Sequence, residues 1–310
     1  MVERGSIDAV RVVALYPRED GPAGWEHTQA AANWLDAHGV TPAVPSRLLA
    51  SGPALPASTL GLDAPVTDDG RGVDLTIALG GDGTLLHASR WVADHGVPVV
   101  GINLGDLGFL SSYSSDELTV ALEDLVAGRL HWESRERMQI SVSRGGETIA
   151  QDTACNDAYV KHGVVPRLLR LACHIGDQYM ATYKADGLIV CTPMGSTAYN
   201  LAAGGPIVAP GTGVFTVSPI CPHSLSHRPV VTPEHTPIRI TYVGPGDVSS
   251  AFLTSDGEWT VELEVGDEIL VTNAPQPLKL VPPRTSVFQV LATKMGWSGP
   301  GRGDAPPRDS

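Results

Sequence analysis

Residues 74–95, DLTIALGGDGTLLHASRWVADH, decide the fold of the first half of this chain. The apolar run 74–79 predicts a buried strand, and the apolar spacing over 84–95 predicts a helix directly after a turn of glycines. The same alternation continues on both sides, with strand-like and helix-like runs at residues 9–15, 25–38, 98–102 and 114–127. Strands that alternate with helices predict a parallel sheet covered by helices, here a Rossmann-like α/β domain.

The second half of the chain has a different pattern. From about residue 136, short β-rich runs follow one another without helices between them, at residues 139–143, 157–161, 168–175, 188–192, 236–243, 260–265 and 268–272. This pattern predicts an antiparallel β-sandwich. The residues rich in Pro, Ser, Gly and Asp over 42–72 predict a long loop within the first half.

These patterns predict the division of the chain into domains. We expect an α/β domain over residues 1–135 and a substrate-binding β-sandwich domain over 136–275. A segment over 276–297 is expected to return to the first domain. The composition of residues 298–310, which are mostly Gly, Pro and charged, predicts a disordered tail.

Charge and cysteine usage exclude several classes of protein. The 310 residues include 21 Lys and Arg against 34 Asp and Glu, a formal net charge of −13. This balance argues against nucleic acid or an anionic membrane as a partner. No run resembles a signal peptide or a membrane span, so we expect a cytoplasmic protein. Cys155, Cys173, Cys191 and Cys221 lack metal-ligand spacing and are expected to be buried free thiols.

The turn GGDGT at residues 80–84 is the first candidate site. Glycines between a strand and a helix let the backbone approach a phosphate, and the helix start adds free N–H groups and a positive dipole end. A carboxylate here would repel phosphate unless it binds Mg²⁺ or accepts a proton from an attacking hydroxyl, and both roles belong to phosphoryl transfer. The alternative is a tight turn in which Asp82 only caps the helix.

Two further glycine-rich segments point to a bound nucleotide. Residues 101–110, GINLGDLGFL, follow the next predicted strand and place a second glycine turn at the carboxyl edge of the sheet. Residues 184–206, KADGLIVCTPMGSTAYNLAAGGP, place Asp186 where it can bind ribose hydroxyls or an amide. Tyr199 in the same segment supplies a flat face for a base.

Together these motifs resemble the NAD kinase family, whose members use ATP or polyphosphate to phosphorylate the 2′-hydroxyl of the adenosine ribose of NAD. The matching segments occur in family order, as GGDGT at 80–84, GINLGDLGFL at 101–110, ND at 156–157, TPMGSTAYNLAAGGP at 192–206, PICPHSLSHRPVV at 219–231 and SDGE at 255–258. The resemblance implies an NAD kinase with its active site in the cleft between two domains. It also implies a homodimer or a homotetramer.

The resemblance assigns roles to individual residues. Asp82 is expected to be the catalytic acid-base residue. The residues expected to contact NAD or ATP are Gly81, Gly83, Thr84, His87, Asn103, Asn156, Asp157, Arg167, Lys184, Asp186, Thr197, Ala198, Tyr199, Ala202 and Glu258. The implied cofactor is Mg²⁺ or another divalent cation carried with ATP, with polyphosphate as an alternative donor, and no residue is assigned as a metal ligand.

Four positions depart from the family pattern, namely Asp106, Met194, Ala202 and Glu258. A hydroxyl lost near the base removes a hydrogen bond worth about 0.5–1.5 kcal/mol, and an added carboxylate repels an anionic substrate unless it is paired. These departures leave open a kinase that acts on a hydroxyl of a different nucleoside or nucleotide. A third hypothesis, a nucleotide-binding regulator without catalysis, is disfavoured because Asp82 is retained.

Overall fold

The computed structural model describes residues 2–7, 10–50, 52–66, 72–106, 108–163, 168–244 and 251–297. The first sheet is built from β1 (Arg4–Ser6), β2 (Val12–Pro17), β3 (Thr41–Pro45), β4 (Leu60–Leu62), β5 (Leu75–Gly80), β6 (Val99–Asn103), β7 (Tyr113–Ser114), β8 (His131–Arg135) and, from the far end of the chain, β21 (Leu278–Leu280). The helices of this half are α1 (Pro22–Ala37), α2 (Ser46–Leu49), α3 (Asp82–Val92) and α4 (Leu118–Val126).

The first sheet is mainly parallel. Its strand order is β1-β8-β21-β6-β5-β2-β3-β4, with β7 paired to β6. The strands from β21 through β6 to β4 pair parallel, and β8 pairs antiparallel with β1 and β21. Every residue of β2 and β5 is buried, as expected for central strands covered by helices. The predicted Rossmann-like α/β arrangement is confirmed.

The long loop predicted over residues 42–72 is wrong for the part between Thr41 and Leu62. The chain there forms β3, α2 and β4, and Val44 of β3 pairs with Gly61 of β4. Strands this short show almost no hydrophobic periodicity, and the Pro and Ser content of the segment therefore favoured a loop. Residue 51 and residues 67–71 of this segment lie outside the described residues.

The second half forms two antiparallel sheets of six strands each, in the orders β10-β9-β20-β17-β12-β13 and β16-β15-β14-β11-β18-β19. Their strands are β9 (Met138–Arg144), β10 (Glu147–Ala154), β11 (Asp157–His162), β12 (Leu169–Ile175), β13 (Gln178–Ala185), β14 (Gly187–Cys191), β15 (Val214–Ile220), β16 (Val230–Pro233), β17 (Ile238–Gly244), β18 (Ala251–Ser255), β19 (Trp259–Leu263) and β20 (Glu268–Asn273). One core joins residues of both sheets, such as Ile140 and Val160. The predicted antiparallel β-sandwich is confirmed.

The end of the described chain packs on the first sheet. β21 pairs with β6 and β8, and α6 (Val287–Lys294) follows it. α6 begins with a capping box. The Gln289 N–H donates to Ser286 Oγ, and the Ser286 N–H donates to Gln289 Oε1. The exact domain limits stay predictions, and the predicted disordered tail over 298–310 lies outside the described residues.

Two properties of the whole chain bear on its class. Among the described residues, no helix is both long and apolar enough to cross a membrane. Cys155, Cys173 and Cys191 are buried free thiols, as predicted, but Cys221 is exposed. The prediction fails at Cys221 because β15 ends at Ile220 and the next residue turns outward with a φ of 45°.

Candidate active site

Asp82 is the first residue of α3 and lies at the carboxyl edge of the first sheet. β5 ends at Gly80, and the chain turns into the helix within two residues. A Cβ at Gly80 would stand 2.1 Å from Thr84 Oγ1, so only glycine allows the helix start to close on the strand. The predicted strand-glycine-helix unit therefore has the expected form.

The second glycine turn holds the Asp82 carboxylate. The Phe109 N–H donates to Asp82 Oδ2 at 2.8 Å, and the Leu110 N–H donates to Oδ1 at 3.1 Å. A Cβ on Gly108 would stand 2.3 Å from Asp82 Oδ1, so this approach also requires glycine. β5 and β6 are parallel neighbours, which brings the turns that follow them to one edge of the sheet. Asp82 is partly exposed and its carboxylate is oriented by two amides.

A cavity of about 670 Å³ opens beside the start of α3, and we call it the α3 cavity. Five of the sequence-predicted residues line it, namely Gly81, Gly83, Thr84, His87 and Glu258. Its other lining residues are Tyr16, Pro17, Arg18, Glu19, Asp20 and Arg47. This second group was not predicted from the sequence, although the charged run REDG directly follows β2, which is a neighbour of β5 in the sheet.

Arg18 and Arg47 are the two arginines of the α3 cavity, and each is paired with a carboxylate. Arg18 Nε donates to Asp20 Oδ1 at 2.6 Å, and this pairing lowers the pKa of Asp20 to about 2. Arg47 donates to Glu19 Oε1 at 2.8 Å and also to the Tyr16 hydroxyl. The guanidinium of Arg47 lies 5.4 Å from the centre of the Tyr16 ring.

Glu258 and His87 meet across the two halves of the chain. His87 belongs to α3 and Glu258 to the turn between β18 and β19, yet His87 Nε2 lies 3.5 Å from Glu258 Oε1. About two fifths of each side chain is exposed. The carboxylate that departs from the family pattern therefore lies beside an imidazole, which offsets its repulsion of an anionic substrate only in the protonated form.

A second cavity, of about 400 Å³, lies in the other half, and we call it the Asn156 cavity. Its lining residues are Asn156, Asp157, Tyr159, Lys161, Ala198, Tyr199, Asp256 and Gly257. The Tyr159 and Tyr199 rings pack edge to face, with centres 5.0 Å apart. The two cavities adjoin, because Gly257 lines this one and Glu258 lines the α3 cavity.

Two polar groups of the Asn156 cavity are buried without a full set of partners. Asn156 is 8% exposed, and within the described ranges its Oδ1 has no hydrogen-bond partner. Asp157 is 4% exposed, and burial, with the nearby charge of Asp256, raises its pKa to about 7. Buried polar atoms are costly unless something binds them, so both groups are suited to a polar ligand.

Asp256 fixes the segment that carries these two groups. Its buried carboxylate accepts the N–H groups of Cys155 at 2.8 Å, Asn156 at 2.7 Å and Asp157 at 3.1 Å. The Asp256 N–H donates back to the Asp157 carbonyl at 2.9 Å. Its backbone has a φ of 48°, a conformation that is uncommon outside glycine. The SDGE motif at residues 255–258 did not by itself indicate this role.

Arg90 joins the helix of Asp82 to the Asp256 turn. It lies in the last turn of α3 and donates to both oxygens of Asp152, at 2.8 and 3.0 Å, and to the Thr153 carbonyl at 2.7 Å. A fourth contact, of 3.4 Å, reaches Asp256 Oδ2. One helix thus bears Asp82 at its first residue and, two turns later, the cation that compensates Asp256.

The segment after β14 folds as a short 3₁₀ turn, Met194–Thr197, followed by α5 (Tyr199–Ala202). The buried side chain of Asn200 holds it in place, accepting from Ser218 Oγ at 2.6 Å and donating to the Pro206 carbonyl at 3.0 Å. A Cβ on Gly205 would stand 2.0 Å from Asn200 Oδ1. This packing presents Ala198 and Tyr199 to the Asn156 cavity.

The other sequence-predicted residues are spread around these two cavities. Asn103 braces its own turn, accepting from the Gly105 N–H at 3.2 Å, and it lines a separate cavity near Ser111. Thr197 lines a small cavity of about 160 Å³ together with Met194 and Phe109.

The remaining predicted residues lie farther along the β-sandwich. Lys184 is exposed at the end of β13, and Asp186 follows it half-buried. Burial raises the pKa of Tyr199, and the charges of Cys221, Asp157 and Asp186 add to this effect. Ala202 is exposed on α5 and lines none of these cavities, while Arg167 lies outside the described residues.

Family models match most of this chain. A model described as the ATP-NAD kinase N-terminal domain matches residues 62–130, and one described as the ATP-NAD kinase C-terminal domain matches residues 155–283. A protein of Geobacter sp. (strain M21) named NAD kinase is 36% identical over 291 residues, which are 93% of this chain and 99% of that protein. A Koribacter versatilis (strain Ellin345) protein of the same name is 42% identical over 224 residues, 72% of this chain and 78% of that protein.

Solved structures resemble the whole fold. The structure of yeast NADH kinase complexed with NADH superimposes with a TM-score of 0.84 and 25% sequence identity, covering 96% of this chain and 91% of that chain. An NAD kinase from Archaeoglobus fulgidus in complex with ATP superimposes with a TM-score of 0.66 at 23% identity, covering 92% of this chain and 98% of that chain. The second likeness concerns the fold alone.

Proposed function

This chain belongs to the NAD kinase family, and on that premise we propose that it transfers the terminal phosphoryl group of ATP to the 2′-hydroxyl of the adenosine ribose of NAD, producing NADP. The observation that carries this proposal is the junction of two cavities at one turn. Gly257 faces the Asn156 cavity and Glu258 faces the α3 cavity, beside which Asp82 begins its helix. Two adjoining cavities suit a reaction between two nucleotides.

The Asn156 cavity is our proposed site for the acceptor adenosine. Ribose hydroxyls both donate and accept hydrogen bonds, so they can donate to the Asn156 Oδ1 and bind the Asp157 carboxyl. Tyr199, whose ring is fixed by Tyr159, offers an aromatic surface to the adenine. The buried oxygen of Asn156, to which no described residue donates, supports this assignment most directly, because binding a hydroxyl there removes a desolvation cost.

Asp82 is the proposed general base. In the transfer, the 2′-oxygen attacks the γ-phosphorus, the bond from that phosphorus to the bridging oxygen breaks, and ADP leaves. The hydroxyl proton passes to the Asp82 carboxylate. The two amides that hold this carboxylate fix its direction in advance, so little reorganisation is needed when the substrates arrive. Phosphoryl transfer depends mainly on such positioning and on charge compensation.

The proposed cofactor is Mg²⁺ carried with ATP. The described residues contain no group of three or more His, Cys, Asp or Glu side chains that could hold a metal. That result fits Mg²⁺, which proteins bind through one or two carboxylates together with substrate phosphates. No residue is assigned as its ligand; the cation would be held mainly by the donor phosphates and would supply charge neutralisation at the transferred group. Polyphosphate is a second proposed donor.

The reaction is tested with purified protein, NAD, ATP and Mg²⁺, and NADP is measured enzymatically. We expect NADP to form with the wild type, and a panel of other nucleosides and nucleotides to react more slowly than NAD. A better acceptor in that panel would favour the related kinase of different specificity. Absence of NADP with ATP and with polyphosphate would refute the proposed function.

Assembly and location are proposals of the same kind. We propose a homodimer or a homotetramer in the cytoplasm, with no nucleic acid or membrane partner, on the basis of the family resemblance and the net charge of −13. Size-exclusion chromatography with light scattering measures the assembly, and cell fractionation measures the location.

A further inference from the structure

The α3 cavity contains a cluster of charged side chains that belongs to none of the glycine motifs. Arg18 and Asp20 follow β2, and Arg47 lies on α2, within the segment expected to be a loop. The backbone N–H of Arg18 donates at 2.8 Å to the carbonyl of Leu79, the residue of β5 that directly precedes the GGDGT turn. This hydrogen bond holds Arg18 next to that turn. Two guanidinium groups therefore stand beside the turn where we place the phosphoryl transfer.

Arg47 is held in position but retains donors. A guanidinium carries five N–H groups. Among the described residues, the contacts of Arg47 are those to Glu19 and to the Tyr16 hydroxyl, besides the Tyr16 ring. Tyr16 itself is 2% exposed and packs against Trp91, with ring centres 6.3 Å apart. The buried tyrosine orients an arginine whose side chain is 55% exposed to the cavity side and solvent.

The carboxylates of this cavity are partners that phosphate can replace. Glu19, Asp20 and Glu258 are paired with Arg47, Arg18 and His87 respectively. Exposed ion pairs of this kind contribute little to stability, so replacing the carboxylate by a phosphate costs little free energy. A phosphate group offers more negative charge and more oxygens than a carboxylate, and it binds guanidinium in a bidentate manner.

We propose that Arg47 and Arg18 bind the phosphate chain of the phosphoryl donor, taking phosphate oxygens in place of Glu19 and Asp20, with the terminal phosphoryl group at the GGDGT turn. This inference rests on the proposed function and names the residues that bind its donor. It assigns the α3 cavity to the donor and leaves the Asn156 cavity to the acceptor. The ring of Tyr16 is buried, so the donor is recognised mainly through its phosphates.

Steady-state kinetics separate the two substrates. ATP is varied at saturating NAD and NAD at saturating ATP, for the wild type, Arg47→Met, Arg47→Lys and Arg18→Met. We expect Arg47→Met to raise the KM for ATP about tenfold or more, because charge-assisted contacts are lost, with the KM for NAD unchanged. Arg47→Lys restores part of the affinity, since it returns the charge without the planar fork. Arg18→Met has a smaller effect on the same constant, because Arg18 lacks the support of a buried ring.

Arg129→Met is the matched control. Its side chain is 58% exposed and makes one ion pair, at 2.6 Å with Asp124, but it lines neither cavity. Arg129→Met changes the net charge by the same amount as Arg47→Met, so an effect of net charge on the KM for ATP would appear in both variants. We expect its kinetic constants to equal those of the wild type, and circular dichroism confirms that each variant is folded.

Competition with inorganic tripolyphosphate, which has no base, supplies a second measurement. ADP is measured, because only ATP produces it even if tripolyphosphate also donates. We expect tripolyphosphate to compete with ATP and to bind more weakly to Arg47→Met than to the wild type. The inference is overturned if Arg47→Met behaves like Arg129→Met, or if it raises the KM for NAD and leaves that for ATP unchanged. Both outcomes require a wild type that makes NADP, so they are distinct from failure of the proposed function.

Discussion

Asp82 and Asp256 occupy similar turns and have opposite surroundings. Each precedes a glycine, and each accepts backbone amides from another segment, two at Asp82 and three at Asp256. Asp82 is partly exposed, and none of the ion pairs between described residues includes it. Asp256 has a side chain that is 0% exposed and an ion pair with Arg90. The accessible carboxylate suits the catalytic role that we propose for Asp82, whereas the carboxylate of Asp256, which fixes a loop, is buried and charge-compensated.

The largest expected effect is the loss of turnover in Asp82→Asn. Removal of a general base lowers the rate by about 10²- to 10⁴-fold. The free energy of unfolding should change by no more than about 1 kcal/mol, because the amide oxygen of Asn still accepts one N–H. NADP formation and urea unfolding measure the two effects. A rate above one tenth of the wild type would contradict the assignment of Asp82.

Asp256→Asn should show the reverse balance. Arg90 keeps Asp152 but loses the second of its two carboxylates, and three buried amides lose a charged acceptor, so we expect a loss of about 3 kcal/mol in the free energy of unfolding. The KM for NAD should rise, because the segment of Asn156 is no longer fixed.

Asp267→Asn is the control for this variant. Its side chain is 1% exposed, pairs with Arg144 at 2.8 Å and accepts the Glu264 N–H at 2.8 Å, but it lines neither cavity. We expect a comparable loss of stability with no change in the KM for NAD. Equal KM values for the two variants would show that Asp256 has no part in acceptor binding.

Arg90→Met tests whether the Asp256 turn needs its cation. We expect a loss of stability and a KM for NAD raised about threefold to tenfold, in a direct enzymatic assay. Arg137→Met is the matched comparison, since Arg137 is also buried and binds Asp94 at 2.7 Å and Thr153 at 2.6 Å but does not contact Asp256. Arg137→Met should lose stability alone. If both variants raise the KM for NAD equally, the effect comes from a general loss of stability around Thr153 and not from the contact between Arg90 and Asp256.

The raised pKa of Asp157, about 7, predicts a pH-dependent stability. Between about pH 4 and 7 the folded protein holds a proton at Asp157 that the unfolded chain releases, so this group's contribution to stability falls as the pH rises through that window. Urea unfolding of the wild type and Asp157→Asn at pH 5 and pH 8 isolates the effect. We expect the variant to gain about 1–3 kcal/mol relative to the wild type at the higher pH. A difference that is independent of pH would contradict burial as the cause.

Glu258→Gln should give the smallest effect. It removes one negative charge from the α3 cavity, but it also removes the partner of His87, so the two consequences partly cancel. We expect the KM for ATP to fall about twofold to threefold. Glu262→Gln on β19, exposed and outside both cavities, controls for net charge. A rise in the KM for ATP in Glu258→Gln would mean that the pairing with His87 matters more than the charge.

Local sequence was sufficient for the parts of the site that depend on a strand, a glycine turn and a helix. The GGDGT unit forms as predicted, because its geometry is encoded within a few residues. Arg18, Arg47 and Arg90 were not identified. Their partners lie far along the chain, as with Arg90 and Asp256, and a single sequence does not show which distant charges meet.

The sequence by itself determined the class of secondary structure in each half, the family and the acid at the start of α3, because hydrophobic periodicity and glycine turns are local properties; it did not reveal β3, α2 and β4. Only the tertiary structure decided which acids are accessible and which are sealed. Asp82 and Asp256 are both followed by glycine in the sequence, and their burial depends on what the rest of the chain packs against them. The junction of the two cavities at residues 257 and 258 was likewise settled by packing between the halves.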